Sequence, residues 1–395
     1  MFHNRGKREI SGGAVLFPIA WPIAENHSPR ESRGKQIFTA RRYPTRMVAI
    51  STNPAAFASA LSRVTPRVSV IVPAYGVAHL VGDALDSLLG QTMTNWECVV
   101  IDDGAPDDVA GAVSPFLSDS RIRFMHTSNH GVSGARNRAV QETSAPLIAL
   151  LDGDDLFRPG YLASMCDVLE ADQGIRLATC NARVFGAIRR ERNCVDRKQG
   201  TGDGVHGSLA DVLDRSFNVY IGTAFRRSDF VTIGGFDEGM AQSEDFDLWV
   251  RLMSLGGNAR YVDEILADYR VRPGSASANF ERMLLGNIKV YEKARAALGP
   301  GCPELPLIDQ LLGENRAKLA FEHAIDKVID GDTHRGLVEL RALDAQVSGS
   351  VWTISFLVWT LIPPLARPML SWRRKAHSRG SADGRPFESI FGNGA

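Results

Sequence analysis

The sequence predicts an α/β fold, with a mainly parallel central sheet covered by helices on both faces and a helical C-terminal extension. Two observations carry that expectation. From Arg67 onward, short β-branched runs alternate with stretches of helical periodicity. The polar residues Tyr75, Asp102, Asp103, Asp152 and Asp154 each fall where an apolar run ends. Open sheets of this kind bind ligands beyond the carboxyl ends of their strands, so these side chains are expected on one rim.

Taken in order, RVSVIVPAYG reads as a buried strand ending in Pro and Gly. HLVGDALDSLLGQT places Leu80, Val81, Ala84, Leu85, Leu88 and Leu89 on one helical face and stops at Gly90. WECVVIDDG is a second strand, VAGAVSPFL a short helix, RIRFMHT a third strand, SGARNRAVQE a helix from near Ser133, and APLIALLDGDD a fourth strand. Beyond it, FRPGYLASMCDVLEA is expected as helix and IRLATCNARVFG as strand. The polar stretch from Arg189 to Gly207 reads as a loop, followed by the helix SLADVLDRS. TIGGFDEGMAQSEDFDLWVRLMSLG reads as a turn-rich lead into a helix, and ARYVDEILADYRVRPGSAS as a strand pair or a strand and loop. From Asn279 to about residue 345 two amphipathic stretches predict helices.

The 395 residues, 44% hydrophobic and 23% charged, have the makeup of a globular protein. Forty-five basic residues balance 45 acidic ones, so no global field points to nucleic acid as a partner. Five scattered cysteines without a CxxC pair argue against a disulfide framework or zinc site and favour a reducing compartment. Residues 1–46 are basic and rich in Arg, Gly and Pro; they read as a disordered segment, with Met47 as an alternative start.

Two acidic clusters carry the chemistry. In LIALLDGDDLFRPG, Asp152 and Asp154 can aim oxygens at one point, as hard cations such as Mg²⁺ or Mn²⁺ require, or they can form a solvated acidic turn. In SEDFDLWVRL, Ser243 and the acids behind it can be an N-capped helix and nothing more, or a carboxylate there can serve as a general base. The sequence leaves both pairs of alternatives open.

VSVIVPAYG, VVIDDG, NHGVSGARNRAV, LLDGDD, SEDFDLWVRL and YRVRPGSAS, in this order and spacing, resemble the family 2 glycosyltransferases of GT-A fold over roughly residues 67–280. The resemblance implies an inverting transfer of a sugar from a nucleotide-diphosphate donor, typically a UDP-sugar, to a hydroxyl of a glycan or lipid-linked acceptor. It divides the domain into a nucleotide-sugar half (67–155) and an acceptor half (156–280). It implies that Pro73, Tyr75, Asp102, Asp103 and Arg136 contact the nucleotide, with Asn129 and Gly131 shaping the loop. It further implies that Asp152 and Asp154 form a DxD motif holding a divalent metal, Mg²⁺ or Mn²⁺, and that Asp245 is the base. Glu244, Trp249, Arg270 and Arg272 are then expected to orient acceptor or phosphate. Two departures stand out: Gly76 and Ala78 occupy places where the family commonly carries polar residues, and Arg272 stands where a histidine is frequent. A sugar-nucleotide nucleotidyltransferase or a silent sugar-binding module are the rival functions; the first would carry a basic Gly-rich loop that PAYGVAHL lacks, and the second would not need Asp154 and Asp245.

GTGDGVHG holds Gly202, Gly204 and Gly207 in a GxGxxG pattern, but a polar stretch precedes it, so a loop is expected rather than a dinucleotide site. Helix is expected over 281–345, and residues 377–395 read as a disordered tail. In segment 350–376, Trp352, Trp359, Trp372, Arg373, Arg374 and Lys375 suggest an interfacial anchor, placing the protein in the cytoplasm at the inner membrane face; a buried terminal helix is the other reading.

Overall fold

The computed structural model describes residues 65–188, 190–196, 200, 205–272, 280–343 and 350–381. Segment 1–46, Gly202, Gly204, residues 382–395 and the side chains of Trp352 and Lys375 lie outside the described residues.

In chain order the elements are β1 (Val68–Ala74), α1 (Val81–Leu89), β2 (Trp96–Asp102), α2 (Val109–Val113), β3 (Ile122–His126), α3 (Gly131–Gln141), β4 (Leu147–Leu150), β5 (Leu156–Phe157), α4 (Tyr161–Ala171), β6 (Ile175–Gly186), β7 (Arg192–Asn193), β8 (His206–Gly207), α5 (Leu209–Leu213), β9 (Ala224–Arg226), α6 (Arg227–Thr232), α7 (Glu244–Met253), β10 (Asn258–Val271), α8 (Phe280–Ala297), α9 (Leu305–Asp330), α10 (Thr333–Ala342), α11 (Ser350–Leu361) and α12 (Ala366–Ser381). The sheet runs β3-β2-β1-β4-β9-β6-β10-β5, with β7 beside β6 and β8 beside β10. Strands β1 to β4 are mutually parallel. β9 is antiparallel to both its neighbours, and β6 and β10 run parallel to each other.

Alternation along the strands sorts side chains to two cores. Val68, Val70, Val72 and Ala74 face one, with α1, α2 and α4. Ile71, Val99, Ile101, Ile148 and Leu150 face the other, with α3 and α7. This second core also takes Ile288, Val290 and Tyr291 of α8 and Ile308 and Leu312 of α9, so the helical extension is built into the sheet's own packing. The C-terminal half of α9 forms a third cluster with α10, α11 and α12.

Several elements depart from the sequence reading. The ARYVDEIL stretch is one fourteen-residue strand, β10, with irregular register at Val262 to Ala267, rather than a pair. The polar 189–207 stretch contributes β7 and β8. β9 and β5 were not foreseen: three and two residues long, they lack a periodic signal, and sheet pairing alone defines them. Helix α12 continues through Ser381, where a disordered tail was expected from residue 377. All five cysteines are unpaired.

The third acid of SEDFD serves packing. Asp247, 1% exposed, accepts from Arg251 Nε at 2.8 Å and pairs with Lys293 Nζ of α8 at 2.5 Å. Arg251 also donates to the Ile233 and Gly235 carbonyls, which pins the turn that precedes α7. Arg251→Met leaves a buried carboxylate short of one partner and should lower the unfolding free energy by about 3 kcal/mol, the low end of such losses because Lys293 remains. Urea titration, with an unchanged m-value, measures this.

Candidate active site

Three strand ends set the rim. Ala74 pairs with Asp102, Asp102 with His126, and Ile71 with Leu150, so the loops after β1, β2 and β4 emerge side by side. Because β9 runs the other way, its beginning lies beside the end of β4, where Leu150 N donates to the Thr223 carbonyl. β10 is parallel to β6 and delivers Arg270 and Arg272 to the same rim.

After β1, Asp107 accepts from the backbone N–H groups of Gly76 and Ala78 (3.1 and 2.7 Å), fixing a turn that leaves Tyr75 53% exposed. Pro73 packs tightly against the DGDD loop: a Cβ on Gly153 would stand 3.1 Å from the Pro73 carbonyl and 3.0 Å from Val77, so only glycine fits there without displacement. Asp102 accepts from Ala105 N and pairs with His126 Nδ1, each at 2.8 Å, while Asp103 accepts from His130 N at 2.9 Å. Both carboxylates are buried and organise the loops after β2 and β3.

Arg136 projects from α3 and is 2% exposed. Its Nη2 donates to Asp152 at 2.7 Å and its Nη1 to Glu244 at 3.0 Å. Burial works against the guanidinium charge, but Asp152, Glu244 and Asp245 outweigh it and raise the pKa. This one cation, itself 108 residues before Glu244 in the chain, therefore ties the acidic end of β4 to the start of α7. Its side-chain hydrogen-bond partners within the protein are the carboxylates of Asp152 and Glu244.

Asp154 contacts Arg272 Nε at 2.5 Å. Burial and the neighbouring Asp152 push the Asp154 carboxyl above its usual range, with Arg272 opposing them. Asp155 is buried too, and accepts from Tyr220 Oη (3.0 Å) and Arg270 N (2.8 Å). Burial, then Asp152 and Asp154, raise its pKa well above normal. Arg270 clamps the loop, donating to the Asp154 carbonyl and to Asp83 and stacking over Phe185.

Ser243 does not cap α7. It sits in the left-handed region (φ 56°, ψ 30°) and makes no side-chain cap; its hydroxyl donates instead to Asn287 of α8 at 3.1 Å. Arg215, the other described non-glycine residue at positive φ, donates to the same Asn287 oxygen at 2.9 Å. Such backbone costs about 1 kcal/mol or more per residue and persists only where surroundings enforce it.

Between these elements lies a cleft of about 300 Å³, lined among others by Arg136, Asp152, Glu244, Asp245, Tyr269 and Trp249. Trp249 is 2% exposed and packs edge-on against Phe225, so most of the ring belongs to the core, with one part reaching the cleft. Among the described residues no three His, Cys, Asp or Glu side chains form a metal cluster. The donor set is the carboxylate pair Asp152 and Asp154, which fits a hard divalent cation that draws its remaining ligands from substrate phosphates and water.

Residues 69–230 match the family described as Glycosyl transferase family 2. The chain carries a family 2 glycosyltransferase domain. The chain is 28% identical over 220 residues to the Escherichia coli UDP-Glc:alpha-D-GlcNAc-diphosphoundecaprenol beta-1,3-glucosyltransferase WfgD, across 54% of this chain and 80% of that one. It is 27% identical over 217 residues to an uncharacterized glycosyltransferase of Rickettsia felis, across 53% of this chain but only 34% of the relative. The chain thus spans about a third of that relative's length. The fold is shared with the mannosyltransferase PcManGT from Pyrobaculum calidifontis, solved with GDP-Man and Mn²⁺ (TM-score 0.53, 20% identity, 80% of this chain and 86% of that one).

The family match ends at residue 230, so the acidic helix α7 reaches the cleft through tertiary packing from outside the matched stretch. Sequence reasoning missed Asp107, Tyr220, Arg215 and Asn287. Only Tyr220 carried a signal, the unassigned apolar run VYIGTAF; the others are ordinary polar residues whose partners are remote in sequence.

Burial first, and then Asp245, raise the Glu244 carboxyl above its usual range, with Arg136 offsetting only part. A carboxylate raised on folding costs stability above its folded pKa, and the cost disappears as pH falls to the unfolded value. Glu244→Gln should therefore melt at higher temperature than wild type near about pH 8. The gap should close toward about pH 4, the ordinary glutamate value. Thermal melts across that range read both.

Proposed function

We propose that the protein is an inverting glycosyltransferase that moves a sugar from a UDP-sugar to a hydroxyl of a glycan or lipid-linked acceptor at the inner face of the cell membrane, in polysaccharide or cell-envelope glycan synthesis. The observation that carries the proposal is the double ion pair of Arg136, which holds the Asp152 loop and the Glu244–Asp245 helix start on one cleft. The names of two similar proteins support the donor and acceptor classes: WfgD uses UDP-Glc and an undecaprenol-linked acceptor, and Staphylococcus aureus TarS has been solved with UDP-GlcNAc.

In this reading the nucleotide lies over the β1 and β2 ends, with the exposed Tyr75 ring against the base and the Asp102–Asp103 turn beside it. Asp152 and Asp154 are the residues that would hold a divalent cation, which supplies positive charge where the departing diphosphate accumulates negative charge. Arg272, already beside Asp154, adds a fixed guanidinium that can pair with phosphate. Asp245 takes the proton of the acceptor hydroxyl as it attacks the anomeric carbon, the diphosphate leaves from the opposite face, and a single displacement inverts the centre. Arg136, paired with Asp152 and Glu244, holds the two walls of the cleft in place without joining the reaction.

Asp245→Asn should reduce acceptor-dependent UDP release by about a thousandfold, the scale of a lost general base, while UDP still raises the melting temperature as in wild type. Substantial residual transfer would remove Asp245 from the role. Chelation by EDTA should stop turnover and Mn²⁺ or Mg²⁺ should restore it; activity indifferent to chelation would exclude the cation.

A further inference from the structure

α11 has no charged residue, and its two faces meet different fates. Phe356 and Trp359 are buried against Phe321, Ile325 and Val328 of α9, and Trp359 Nε1 reaches Met369 Sδ. On the other side Ile354, Leu357 and Leu361 are open, the last 73% exposed. The pattern continues after the Pro363–Pro364 turn, where Ala366 and Leu370 of α12 are buried while Leu365, Met369 and Trp372 are open, Trp372 by 73%. A helix apolar on all sides belongs where both sides are covered, and here the protein covers one.

The charges of this hairpin indicate what covers the other. From Ser350 to Ser381 there are five arginines and lysines and no aspartate or glutamate. Arg373 and Arg374 do not face outward as the sequence had suggested: they pair with Glu322 and Asp326 of α9. That pairing fastens α12 to the protein, and the sequence of the segment holds three further basic residues, Arg367, Lys375 and Arg379. An apolar row ending in an exposed tryptophan, on a segment without acids, suits an anionic lipid interface. Spanning is excluded for these helices: the twelve residues of α11 cover about 18 Å of a roughly 30 Å hydrocarbon layer. No helix among the described residues is long and apolar enough to cross a membrane.

We propose that the outer face of the α11–α12 hairpin lies in the surface of an anionic bilayer, with Ile354, Leu357, Leu361, Leu365, Met369 and Trp372 in the lipid and the α9 face holding the catalytic domain above it. This deepens the reading of a membrane-presented acceptor, and its test does not depend on catalysis.

The full chain is floated with vesicles of phosphatidylcholine alone and with added phosphatidylglycerol, beside Leu357→Glu/Leu361→Glu and Trp372→Phe variants. Wild type should float with the anionic vesicles and about tenfold less with neutral ones, and the double variant should lose about tenfold in binding. Brominated lipid should quench tryptophan fluorescence in wild type and much less in Trp372→Phe. Circular dichroism and the UDP-induced melting shift should be the same for all three proteins. Equal flotation of wild type and the double variant, no flotation of wild type, or a lipid-free dimer that the double variant abolishes would each overturn the proposal. Loss of UDP binding with flotation intact would instead count against the catalytic reading alone.

Discussion

The buried guanidinium of Arg136 is the constraint on which the site depends. A cation placed 2% exposed in a core is tolerable only with carboxylates within hydrogen-bond reach, and it has two, from segments far apart in the chain. The dependence is mutual: Asp152 and Glu244 are followed closely in the chain by Asp154 and Asp245, and the guanidinium between them offsets the repulsion of these acids. The double ion pair thus holds the two walls of the cleft together.

The rest of the molecule supports that clamp from behind. β9 turns the sheet over between β4 and β6 and so brings Tyr220 to the buried Asp155, giving the DGDD loop a floor. The helical extension supports the opposite wall. Asn287 accepts from both strained residues, Ser243 and Arg215, and Lys293 holds Asp247 from the same helix. The strain at Ser243 has a visible result: the start of α7 keeps its side-chain cap unused, and the turn presents Glu244 and Asp245 to the cleft.

Electrostatic economy also explains the arginines of β10. Arg270 spends its donors on loop geometry, stapling the Asp154 carbonyl to α1 through Asp83. Arg272 lies against the Asp154 carboxylate itself, so the second aspartate of the motif has a counter-charge before any ligand arrives. The two residues are neighbours in one motif, yet one braces the loop backbone and the other pairs with its carboxylate.

What the sequence alone determined was local and periodic. Short apolar runs ending in Pro, Gly and Asp specified β1, β2 and β4 and the side of the sheet where the carboxylates gather, because parallel connection leaves little freedom. The same regularity specified α1, α4 and β6. Tertiary structure decided which polar residue does what, since ion pairing acts between groups far apart in the chain. It divided the acids of SEDFD into a core pair at Asp247 and a cleft pair at Glu244 and Asp245. It sent Arg373 and Arg374 to α9, turned Trp359 inward and left Trp372 outside. It also made β9 a strand, because three residues carry no pattern of their own and become β-structure only when β4 and β6 offer them hydrogen bonds on both sides.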